Sequence, residues 1–82
     1  MSLFDLSDYE LSKDLKSLFG DDSLKVTGSE IELLMGSNNG LIFYLILDLD
    51  NKLISIFDNN GKPYKISSDF DSLKKFKKDY LT

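Results

Sequence analysis

Asp48 and Asp50 lie two apart on a stretch that reads as a strand and its exit, so their carboxylates point to the same side. Asn51, Asp58, Asn59 and Asn60 add further oxygen donors of the kind that Mg²⁺ or Ca²⁺ takes. The spacing of a calcium loop is not met. The strand leaving Asp50 also carries Asp58 roughly 15 to 20 Å away, at ~3.3 Å per residue. A carboxylate pair can serve as acid and base, but only in a cleft that holds a substrate and separates the two pKa values. Asp and Asn are equally the ordinary residues of hairpin turns. Solvated turns are therefore expected here, with no metal site, no catalytic group and no cofactor.

The residue types that are missing narrow the chemistry further. Among 82 residues there is no Cys and no His. This excludes a disulfide framework, thiolate or imidazole metal sites, and nucleophiles that rely on either side chain. Arg, Trp, Ala and Gln are absent as well, while Lys, Asn, Ile, Ser and Asp abound, a bias of the kind an AT-rich genome imposes.

Charge is unevenly spread along a chain of formal net charge −4. Residues 62–82 hold six lysines against three acids; these lysines are Lys62, Lys65, Lys74, Lys75, Lys77 and Lys78. They could contact phosphates, with Tyr64, Phe70 or Tyr80 stacking on bases. Arginine is nevertheless wanting, and those aromatics sit at spacings that suit a core. Residues 1–22 hold the opposite excess, Asp5, Asp8, Glu10, Asp14, Asp21 and Asp22 against two lysines. Such a row could imitate nucleic-acid phosphates, as short phage inhibitors of nucleases do, although acids at a helix start are also good helix chemistry.

Asp21-Asp22-Ser23-Leu24 resembles the Asp-Ser-Leu motif of acyl carrier proteins. The resemblance implies a phosphopantetheine arm on Ser23 and a long helix beginning there. Val26, Thr27 and Gly28 follow instead, and the next thirty residues pattern as strands, so a loop after a helix end is expected here.

The elements that would position these residues are legible from spacing. Ser7 and Glu10 have capping-box spacing, Leu6 and Leu11 fit the accompanying staple, and Leu11, Leu15 and Leu18 make a helical stripe ending at Gly20. This predicts a helix over residues 8–19. Strands are expected over 24–27, 30–35, 41–49, 53–57 and 63–66, with 36–40 as a turn. Ser68, with Asp71 three residues on, is placed to cap a final helix with the stripe Phe70, Leu73, Phe76 and Tyr80. The expectation is one α+β domain over residues 1–82, an antiparallel four- or five-stranded meander flanked by an N-terminal and a C-terminal helix, in the order α-β-β-β-β-β-α. The longest apolar run, residues 41–47, is far short of the ~18 residues needed to span a bilayer, and no export leader is evident. A cytoplasmic protein without membrane contact is expected.

The apolar surplus carries the functional expectation. Leu41, Phe43, Leu45, Leu47 and Leu49 make one face of the central strand, yet Ile42, Tyr44 and Ile46 leave its other face apolar too, joined by Phe57 if the next turn sets the register. Should both helices pack on the first face, the second is a protein interface; should they lie on opposite faces, it is core. The leading expectation is a non-catalytic protein-binding module of inhibitor, immunity or accessory type, phage or mobile-element encoded. It would act by steric blocking or acidic mimicry, and its partner would be another protein or a second copy. The alternative is weak nucleic-acid binding through the lysine-rich end.

Overall fold

Local capping chemistry sets where the helices begin. Ser7 accepts a hydrogen bond from the Glu10 N–H at 3.2 Å, and helix α1 runs Asp8–Phe19 until Gly20, at φ 90°, ends it. The complete reciprocal box forms one turn upstream: Ser2 Oγ accepts from Phe4 N–H and Asp5 accepts from Ser2 N–H, closing a 3-10 turn over Leu3–Asp5. A computed structural model of the protein describes residues 2–20 and 23–81. The C-terminal helix α2 spans Phe70–Tyr80 and is capped by Asp69, whose carboxylate accepts from Ser72 N–H at 2.7 Å. The expected cap, Ser68, is occupied elsewhere: its carbonyl accepts from Leu3 N–H at 2.7 Å and its hydroxyl meets that of Ser2.

Between the helices lie strands β1 (Lys25–Thr27), β2 (Glu30–Asn38), β3 (Leu41–Asp48), β4 (Leu53–Asp58) and β5 (Pro63–Tyr64). They form one antiparallel sheet in chain order, the five-stranded meander of the α+β class. Strand β2 runs three residues beyond its expected end. Asn39 and Gly40, at φ 54° and 82°, make the whole turn, a two-residue form whose twist suits the flanking strands. Gly36 stays inside β2, at a bulge where the pairing shifts from Leu34 opposite Tyr44 to Gly36 opposite Phe43. The last strand stops after two residues.

Alternation along the strands then decides the packing. Ile31, Leu33, Met35, Phe43, Leu45, Leu47 and Ile56 are buried on one face of the sheet, in a single core with Leu3, Leu11 and Leu15 from the N-terminal side and Leu73 and Phe76 from α2. Both helices therefore cover the same face. At its far end Phe43, Tyr64, Phe76 and Tyr80 form an aromatic group with centroids 4.5 to 6.0 Å apart. Lys77 reaches across to donate to the Leu18 carbonyl at 2.7 Å, satisfying one of the orphan acceptors at the end of α1.

Candidate functional site

The sheet face turned away from the helices is read from the strand register. Leu34, Tyr44 and Phe57 form one row across β2, β3 and β4; Lys25, Glu32, Ile46 and Ser55 form the next; Thr27, Glu30, Asp48 and Leu53 form the last. Ile42, paired with Ser37, lies on the other side of the Tyr44 row. Ile54 and Ile56 oppose Leu47 and Leu45 on the covered face, while Phe57 opposes Tyr44 on the open one, as the expected register requires. The four residues singled out in the sequence, Ile42, Tyr44, Ile46 and Phe57, thus come together. None of them belongs to the buried core; all are half-buried, and Leu34 beside them is 40% exposed.

The rings of Tyr44 and Phe57 stack across the strands at 5.4 Å and 22°. Such a pair stiffens the middle of the face. Around it lies a shallow groove of about 620 Å³, edged by Ser23, Lys25 and Glu32 and floored by Leu34, Tyr44, Ile46 and Phe57. An apolar centre within a polar edge is the anatomy of a protein contact rather than of an enclosed small-molecule pocket. Ser23 holds that edge by bonding both backbone groups of Leu34 at 3.2 Å. Strand β1 follows it closely, so the helix that the carrier-protein resemblance implies is not present there. Leu34 itself was not singled out by sequence; the available signal was its alternation with Leu33 and Met35.

The charged groups fall into other places. Asp8 lies about 120 to 160° around α1 from Glu10 and Asp14 at ~100° per residue, with exposed Lys13 and Lys16 between them. Exposed Asp5 closes the Ser2 box, so the described acids form short patches rather than one row. Asp21 and Asp22 lie outside the described residues. Of the lysines, Lys77 is engaged with Leu18 and Lys62 sits 5.3 Å above the Tyr64 ring. Lys74 and Lys78 are exposed on α2. Lys65 and Lys75 flank a cleft of about 320 Å³ between β5 and α2, lined also by Tyr64, Ser72, Asp79 and Tyr80.

The turn carboxylates have structural work. Asp48 accepts from the Asp50 and Asn51 backbone and from the Asn51 side chain at 2.8 to 3.1 Å, and these bonds, the side-chain one above all, hold its carboxyl below the ordinary value. Asp58 departs from the solvated turn expected for it, being only 4% exposed. Burial works against its charge, but the Tyr64 hydroxyl at 2.8 Å, the Lys62 and Asn60 amides and the Lys62 ammonium outweigh that and lower its pKa. The same Asp58 bond raises the pKa of Tyr64, with burial and the charge of Asp58 adding to it. Among the described residues no group of three or more acidic side chains could hold a metal ion. No described helix is long and apolar enough to cross a membrane.

The chain matches no protein-family model, no curated protein and no solved structure.

Proposed function

We propose that this protein is a non-catalytic protein-binding module, of inhibitor, immunity or accessory type, which meets its partner through the open face of the sheet. One observation carries the reading: both helices pack on the face of the sheet that carries Phe43, Leu45 and Leu47, leaving Ile42, Tyr44, Ile46 and Phe57 without a covering element. Apolar centres of this sort favour association at ~25 cal/mol per Å² buried, before ordering costs are counted. Tyr44 is the natural anchor, because its ring contributes area while its hydroxyl can find a partner at the wet edge. A cytoplasmic setting belongs to this reading. Tyr44→Glu tests it: circular dichroism should remain that of a folded domain while association with another chain is lost. If the substitution unfolds the domain, the face belongs to the core and the reading fails.

A second reading, weak binding of nucleic acid through the lysine-rich C-terminal segment, is favoured by the cleft that gathers Lys65, Lys75, Tyr64 and Tyr80. It ranks lower because Asp79 shares the cleft and Lys77 is tied to α1.

A further inference from the structure

Resting on the reading of the open face as a protein interface, we infer that its occupant is a second copy of this chain. The two sheets stack face to face with strands antiparallel, about a twofold axis along the Leu34–Tyr44–Phe57 row.

The layout of charge selects this arrangement. On the open face, Glu30 and Asp48 stand at one end of the sheet, Glu32 and Lys25 oppose one another in the next row, and the rows of Tyr44 and Ile42 carry no charge. A twofold axis running along the strands would set acidic end upon acidic end. Rotation about the Tyr44 row sends the two acidic ends to opposite edges of the assembly. It also lays Tyr44 near its own counterpart and Ile46 over the counterpart of Ile42, so that apolar residues meet and like charges part.

Area agrees with this occupant. The five strands hold 3, 9, 8, 6 and 2 residues, which at ~3.3 Å per residue and ~4.8 Å between strands give a footprint of about 440 Å². Two such faces bury about 900 Å² in all, the size of a weak, reversible interface. A surface this broad is filled by another sheet of equal width and the same twist, since stacked sheets pack ~10 Å apart at a small angle. A single peptide strand or helix would leave much of it wet.

The absence of cysteine makes the geometry testable, because one introduced thiol is unique. Sedimentation should show the unaltered chain as a concentration-dependent dimer and Tyr44→Glu as a folded monomer. A short bis-maleimide should join Leu34→Cys, which lies on the axis, into covalent pairs. It should leave Leu53→Cys single, because that exposed residue lies at the acidic end. A monomeric unaltered chain, or equal pairing of the two cysteine variants, overturns the inference. If the unaltered monomer captures a protein from host extract that folded Tyr44→Glu does not, the second copy is ruled out and the protein-binding reading stands. If folded Tyr44→Glu changes neither association nor capture, both fail.

Discussion

Strand β3 presents Phe43, Leu45 and Leu47 to one side of the sheet and Ile42, Tyr44 and Ile46 to the other, and the two sets differ little in size, the Tyr44 hydroxyl being the one polar group among them. One set is fully buried under two helices, and the other lies half-buried on an open face. Apolarity therefore does not decide which side of a central strand becomes core; the elements on either end of the meander do. Leu11 and Leu15 of α1 and Leu73 and Phe76 of α2 all converge on the Leu45 side. The Lys77 bond to Leu18 draws the two helices together there. A strand apolar on both sides, in a chain with two helices on one side, keeps its second apolar face half-exposed.

The contrast is tested most severely by equivalent truncations at adjacent positions. Leu45→Ala should lower stability by ~2 to 5 kcal/mol, because its side chain is wholly buried and leaves a cavity. Ile46→Ala, one residue along, should change the stability of the monomer by less than ~1 kcal/mol. Urea melts of the two variants decide it, and equal losses would mean that both faces are covered.

A smaller effect should appear on acidification, and it belongs to the covered side. Asp58 lies at the end of β4 opposite Phe43, and its folded pKa is depressed relative to an unfolded aspartate near ~3.9. Stability from its contacts is thus complete above that value and is lost as pH falls through the folded one. Asp58→Asn should lower stability at neutral pH and flatten its decline in acid, whereas Tyr44→Glu should retain the sensitivity attributable to Asp58. Urea midpoints at neutral pH and near pH 3 would check this; an unchanged acid profile for Asp58→Asn would assign the sensitivity to Asp48 or Asp69, whose pKa values are also lowered.

The smallest effect lies away from both faces. Ser7→Ala should cost ~1 kcal/mol, because Glu10 N–H loses its acceptor at the start of α1. An unshifted thermal midpoint would show that the turn closed by Ser2 and Asp5 holds the helix start without it.

Much of this plan was legible in local pattern. The apolar run from Leu41 identified the central strand, and the turn before Leu53 set a register that places Phe57 beside Tyr44. Strand β2 outruns its local pattern because Gly36, a turn residue by type, is absorbed by a bulge and Asn39-Gly40 suffices for the reversal. The cap of α2 was displaced by one residue because Ser68 is claimed by Ser2 and Leu3, more than sixty residues away in sequence. Likewise Asp58 is buried where β5 returns Tyr64 to it, the two joined by a 2.8 Å hydrogen bond. The side taken by the helices and these long-range bonds depend on contacts that no short window contains.

The nearest-neighbour order of the strands carries a kinetic consequence. Every strand pairs with the one before it in the chain, so each hairpin closes a short loop and the sheet can grow by successive local steps. Longer loops are closed where Leu3 meets Ser68, Lys77 meets Leu18 and Asn38 donates to the Tyr80 carbonyl. Hairpin closure is therefore entropically cheap, and the larger loop cost falls on the contacts that fix both helices on one face of the sheet.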